Sequence, residues 1–264
     1  MDLSRLNLSK LEKKEAEKVK AEKEKTLPPT YVSKKGFVEM PVLRGFTEIS
    51  SLYAFLTVFD AFICGGYVRY MAAPVQSPVS AADVDIYCKT KDVFDKLQKA
   101  LKEKGLEVRH ENNMALTMKR PEDPKHPFFA SPPIQLIKPV REGRVVASGS
   151  MEEILENFDF TVIRCGLKNP LTAVVDADFE HDESKKILRL KNIHCPVSST
   201  LRCMKYSRRG YWLPPMQAAR LFMDWDRRDE DYRFRLLDFI EKTSKGEGLT
   251  QEEVDELEEM MRID

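Results

Sequence analysis

A short apolar run that ends in two glycines constrains this chain more than any other feature. Residues 61–64 read as a strand, and Gly65-Gly66 follows with no spacer before Tyr67-Val68-Arg69-Tyr70. A strand that enters a helix through two glycines exposes successive backbone N–H groups with no Cβ in the way, at the positive end of a helix. That arrangement is a cradle for phosphate. Arg69, one turn into the helix, adds a cation for a phosphate or for a nearby carboxylate. After a loop rich in Pro, Ser and Ala, a second strand is predicted over 83–87, carrying Asp83 and Asp85. Alternate residues of a strand share a face, so the two carboxylates stand side by side and repel unless a cation lies between them. Oxygen ligands beside phosphate favour magnesium or manganese. Each piece alone has an ordinary reading, as a turn or as a solvated strand end. Their order, strand, Gly-Gly, helix, loop, Asp-x-Asp, is the specific signal.

The rest of the composition sets bounds. The 264 residues suffice for one large domain or two small ones, with 42% hydrophobic and 33% charged residues. That balance implies a solvated charged segment, and residues 10–25 supply it by alternating Lys and Glu, with Glu15/Lys18, Glu17/Lys20 and Lys18/Glu22 at helical neighbour spacing. Pro28 and Pro29 end this helix. It reads as a solvated arm, with Leu3, Leu6, Leu8 and Leu11 as a short apolar stripe through which a protein partner can dock. The 43 Lys+Arg balance 43 Asp+Glu, which excludes a wholesale nucleic-acid coat while leaving room for a local basic patch. No stretch approaches the roughly twenty apolar residues that span a bilayer, and residues 1–10 lack a signal-peptide core, so the expectation is a cytoplasmic protein without membrane contact. Five scattered cysteines with no Cys-x-x-Cys pair argue against a disulfide scaffold and a structural zinc site. The four histidines show no ligand spacing.

Hydrophobic periodicity predicts helices over 48–59, capped by Thr47, and over 93–104, closed by Gly105. Strands are predicted over 107–110, 115–119, 134–138, 160–165, 172–175 and 187–190. Ser150 and Glu153 form a capping box that opens a short helix. From Pro196 onward the pattern turns helical, over 199–209, 216–225 and 232–242, with a last helix capped by Thr250 and Glu253. Arg202, Lys205 and Arg209 share one helix face near Tyr206, Tyr211 and Trp212, a combination that suits a nucleotide base or an RNA strand and equally a solvated basic face with the aromatics in the core. Asp224-x-x-Arg227 reads as a surface ion pair. The chain divides into a charged helical arm (1–28), a mixed α/β head (29–192) and a helical neck and tail (193–264).

Gly65-Gly66-Tyr67-Val68-Arg69 and Asp83-Val84-Asp85-Ile86 resemble the Gly-Gly-x-Val-Arg and hydrophobic-Asp-hydrophobic-Asp motifs of the nucleotidyltransferase fold of the DNA polymerase β superfamily. Within it, the similarity is to the head and neck of poly(A) polymerases and CCA-adding enzymes. Asn157-Phe158-Asp159-Phe160-Thr161 keeps the Asp-Phe-Thr of a family Arg-Arg-Asp-Phe-Thr motif. Leu201-Arg202-Cys203-Met204-Lys205-Tyr206 with Gly210-Tyr211 is similar to the neck. The likeness runs over 63–211, strongest at its start. It implies an α+β fold with a mixed-sheet, polymerase β-like head followed by a small helical domain.

The resemblance also implies metal-dependent transfer of a nucleoside monophosphate from a nucleoside triphosphate to a hydroxyl on RNA such as tRNA, on protein or on a small molecule. Asp83 and Asp85 would hold Mg2+ or Mn2+, and Gly65, Gly66 and Arg69 would grip the triphosphate, with Arg202 and Lys205 assisting on the neck. Two departures stand out. Where the family carries a third carboxylate this chain has Ile134-Gln135-Leu136. Either another acid, Asp159 or Asp176, substitutes, or the acceptor-side metal binds poorly and catalysis is slow or lost. His194-Cys195-Pro196-Val197-Ser198 replaces the Glu-Asp-x-x-Arg base-reading segment, which argues against faithful CCA addition. The alternative expectation is a weakened module that binds nucleotide, nucleic acid or a protein partner. Gln135 favours it, and the intact Asp83/Asp85 pair favours the enzyme.

Overall fold

Strict alternation in the strand after Asp83 divides the molecule into two packed faces. In β3 (Val84–Cys88), Val84, Ile86 and Cys88 are buried while Asp85 and Tyr87 point to the other side. The computed structural model describes residues 36–74, 81–112, 114–141, 144–145, 147–245 and 247–260. The expected charged helix over 10–25, with its leucine stripe, lies outside the described residues.

Eight strands form one mixed sheet. They are β1 (Phe37–Pro41), β2 (Ala61–Cys64), β3, β4 (Val108–Glu111), β5 (Ala115–Met118), β6 (Ile134–Ile137), β9 (Cys165–Asn169) and β10 (Thr172–Asp176), in the order β1-β10-β9-β2-β3-β6-β5-β4. A two-stranded hairpin, β7 (Val140–Arg141) with β8 (Arg144–Val145), stands apart. The β3–β6 pair is parallel and the other pairs of the large sheet are antiparallel. With the helices packed on it, the fold is α+β.

On one face lie α1 (Phe46–Leu56), α2 (Gly66–Ala72) and α3 (Lys91–Glu103). Leu52, Leu56, Val68, Met71, Leu97 and Leu101 from these helices pack on Ile63, Val84, Ile86 and Leu136 of the sheet. The second cluster joins Phe37, Ile154, Phe158 and Phe160 to Cys203, Tyr206, Tyr211 and Leu221. It includes residues of α4 (Met151–Glu156), α6 (Pro196–Ser207) and α7 (Pro215–Asp226), so helices beyond residue 193 share a core with the sheet. α5 (Phe179–Lys185), α8 (Glu230–Ser244) and α9 (Gln251–Met260) complete the chain, with Leu236 and Phe239 of α8 buried. Among the described residues no helix is long and apolar enough to cross a membrane.

Both capping boxes form, Ser150 with Glu153 and Thr250 with Glu253. Other expectations are corrected. α1 is capped by Gly45 in a left-handed conformation, φ 74°, and Thr47 lies inside the helix. The strand expected over 160–165 is a 3-10 turn, Thr161–Ile163, before β9 begins. Val162 and Ile163, neighbours that a strand would send to opposite faces, share one apolar cluster with Phe160, while the Thr161 hydroxyl turns to the buried Asp182 carboxylate. Residues 187–190 make only isolated bridges, Ile187 with Trp212 and Leu190 with Phe160. Asp224 pairs with Arg228 at 2.9 Å rather than with Arg227, because i,i+4 neighbours meet on a helix face. β1 and α5 were not anticipated.

Candidate functional site

The two glycines at the end of β2 have different jobs. Gly65 caps α2 with φ 84°, a conformation that disfavours any side chain. A Cβ there would sit 3.4 Å from Asp85 Oδ2 and 3.6 Å from Phe158. Its N–H donates to the Cys165 carbonyl at 2.7 Å, so this group stitches β2 to β9 and does not face a ligand. Gly66 has open space where a Cβ would stand, and its backbone is the part of the turn that a phosphate can approach.

Gly65 and Gly66 form the floor of a cleft of about 240 Å³ together with Asp83, Asp85 and Gln135. Asp83 precedes β3 by one residue, and Asp85 is in β3 directly opposite Gln135 on parallel β6. The facing wall is α6, which contributes Arg202, Lys205 and Tyr206, with Arg209 just beyond its end. Spacings of three and four residues from Arg202 bring Lys205 and Tyr206 to one helix face. Phe158 completes the lining near the glycines.

Burial and then the Asp83 carboxylate push the Asp85 carboxyl from its ordinary 3.8 up to about 7, against the pull of Lys205 and Arg202. Two acids held this close are short of positive charge between them. Their all-oxygen donor set, completed by the Gln135 amide, suits a hard divalent cation such as Mg2+ or Mn2+. No third acid joins them: among the described residues no group of three or more His, Cys, Asp or Glu is placed to hold a metal.

Three expected participants lie outside the cleft lining. Arg69 is fully buried, with Nη1 3.3 Å from Glu183 and 2.9 Å from the Tyr211 hydroxyl, and its guanidinium sits 6.0 Å from the centre of the Tyr206 ring. It ties α2 to α5 and the neck and does not reach a phosphate in the cleft. Asp159 is buried against Arg202, 2.6 Å away, and accepts the Ser199 hydroxyl at 2.9 Å. It orients the Arg202 guanidinium and supplies no ligand beside Gln135. Asp176, the other candidate substitute, is 2.9 Å from Arg164 and 3.4 Å from Lys191. Glu183 and Ser199 are the important partners that sequence reasoning missed. They lie 114 and 40 residues from the groups they hold, and no local spacing signals such pairs.

No protein-family model matches the chain, and no curated protein matches it. Solved structures do. A tRNA nucleotidyltransferase complexed with a primer tRNA and an incoming ATP analogue is 19% identical, with 65% of this chain aligned to 48% of that one at a TM-score of 0.44. A Thermotoga maritima CCA-adding enzyme complexed with tRNA is 13% identical over 81% of this chain and 49% of its own, with a TM-score of 0.45. A Bacillus stearothermophilus CCA-adding enzyme in complex with CTP is 17% identical over 65% and 40%, with a TM-score of 0.43. This chain spans less than half the length of each.

Proposed function

We propose that this chain is a nucleotidyltransferase that binds a nucleoside triphosphate in the cleft and passes its nucleoside monophosphate to a hydroxyl acceptor, with RNA such as tRNA the leading class. The observation that carries the reading is the opposition of charges: Asp85 in β3 and Asp83 just before it face Arg202 and Lys205 of α6 and Arg209 just beyond it, across a floor made by Gly65 and Gly66. Lys205 and Arg209 draw in the phosphates, and Gly66 lets them approach the backbone. Asp159 and Ser199 hold Arg202 at the rim. Phe158 and Tyr206 offer aromatic surface to the sugar or base. Asp83 and Asp85 are the residues that would hold Mg2+ or Mn2+, which when bound offsets phosphate charge. In the transfer the acceptor hydroxyl gives up its proton to solvent as its oxygen bonds to the α-phosphorus, the bond from that phosphorus to the bridging oxygen breaks, and pyrophosphate leaves.

Label transfer tests this directly. Purified protein is incubated with each α-labelled nucleoside triphosphate, Mg2+ or Mn2+ and total RNA, beside an Asp83→Ala/Asp85→Ala control. Transfer by the wild type that disappears in the control supports the reading, whereas transfer surviving the double substitution refutes the assigned site. A second reading, a module that binds nucleotide without transferring it, is favoured by Gln135 beside Asp85. It predicts nucleotide binding with no transfer to any acceptor.

A further inference from the structure

We infer that the cleft accommodates one divalent cation rather than two, and that Gln135 sets this number; the inference rests on the reading of the cleft as a nucleoside-triphosphate site. Gln135 pairs in register with Asp85 on parallel strands, so both side chains project from the same face into one cleft. A carboxylate at that place would add a third charged oxygen donor to the Asp pair. A carboxamide offers a neutral oxygen and an N–H2 group that repels cations.

The remaining donors do not compensate. Asp83 and Asp85 are the only acids lining the cleft among the described residues. Asp159 is committed to Arg202 and Ser199, and Asp176 to Arg164 and Lys191. The opposite wall already carries positive charge, because Lys205 and Arg209 line it without an ion pair among the described residues. They stand against the phosphates where further cationic charge would otherwise be needed, and they repel a second metal ion. The residues therefore fit a single cation shared between the Asp pair and the nucleotide. They do not fit a second one on the acceptor side.

The test counts metal ions. Full-length protein is dialysed to equilibrium with Mn2+ and with each of the four α,β-methylene nucleoside triphosphates in turn, and bound Mn2+ is measured per bound nucleotide. The expected result is one Mn2+ per nucleotide in the wild type and two in Gln135→Asp, with Gln135→Glu made in parallel in case the shorter acid misfolds. Two Mn2+ per nucleotide in the wild type overturns the inference. One in both folded variants overturns the role of Gln135. A wild type that retains none of the four analogues overturns the nucleotide reading itself, and this outcome is distinct from a wrong metal count.

Discussion

Replacing Arg69 by Met separates a phosphate ligand from a structural tie. Arg69 and Glu183 are both fully buried and 3.3 Å apart, and the Tyr211 hydroxyl bonds to both. Removing one member of a buried pair leaves an uncompensated charge, at a cost of about 3–5 kcal/mol. Lys186 Nζ lies 2.7 Å from the same Glu183 oxygen and still partly neutralises it, which places the loss near the lower end, about 3 kcal/mol. In a chain of this size that corresponds to a fall of about 6–12 °C in melting temperature. Met matches the length of the stem and keeps its packing, so the loss reports on charge. The double variant Arg69→Met/Glu183→Met removes both charges and recovers part of the loss, giving a coupling of about 1–3 kcal/mol in a double-mutant cycle. Urea denaturation of the four proteins measures these values. An Arg69→Met protein of wild-type stability that has lost nucleotide binding would refute the reasoning and restore Arg69 to the phosphate site.

Asp85 gives a pH signature. Its folded-state pKa is raised, so the carboxyl is neutral in both states at low pH and costs stability as pH climbs from about 4 to about 7. The shift of about three units sets a ceiling near 4 kcal/mol, and water at the exposed part of the carboxyl brings this down to about 2 kcal/mol. Asp85→Asn in EDTA is therefore more stable than wild type at pH 8.5 and nearly equal at pH 4.5; an equal advantage at both pH values contradicts the assignment. The two glycines separate as well. Gly65→Ala meets a positive φ and loses about 1–2 kcal/mol in denaturant titrations, while Gly66→Ala leaves stability within about 0.5 kcal/mol of wild type and weakens nucleotide binding. The reverse pattern would mean that the turn is not the floor of the site.

Short periodic signals were the legible ones. The strand over 61–64, the Gly-Gly entry into α2 and the capping boxes each depend on residues a few positions apart, and each formed as expected. The shared face of Arg202 and Lys205 is likewise a property of one helix, with Arg209 following in the turn after it. What escaped the sequence depends on distant partners. The 160–165 segment looks like a strand by composition, but the Thr161 hydroxyl donates to Asp182, 21 residues away, and no local pattern announces that partner. α5 has an acidic sequence, yet buries Asp182 and Glu183 because Arg189 and Arg69 meet them there. Arg69 is a residue type suited to a phosphate and Asp159 one suited to a metal ion, and their partners Glu183, Arg202 and Ser199 direct them elsewhere.

A nucleotidyltransferase needs one cleft that joins a nucleoside triphosphate to a divalent cation, and the candidate here lies between the Asp pair and the α6 wall. Equilibrium binding of labelled nucleoside triphosphates to the wild type, Asp83→Ala/Asp85→Ala and Lys205→Ala/Arg209→Ala, each with Mg2+ and with EDTA, tests it most directly. The expected result is saturable binding that needs Mg2+ in the wild type and falls at least about tenfold in both double variants, a loss of about 1.4 kcal/mol or more. Binding that is indifferent to Mg2+ and to both pairs of substitutions would contradict it.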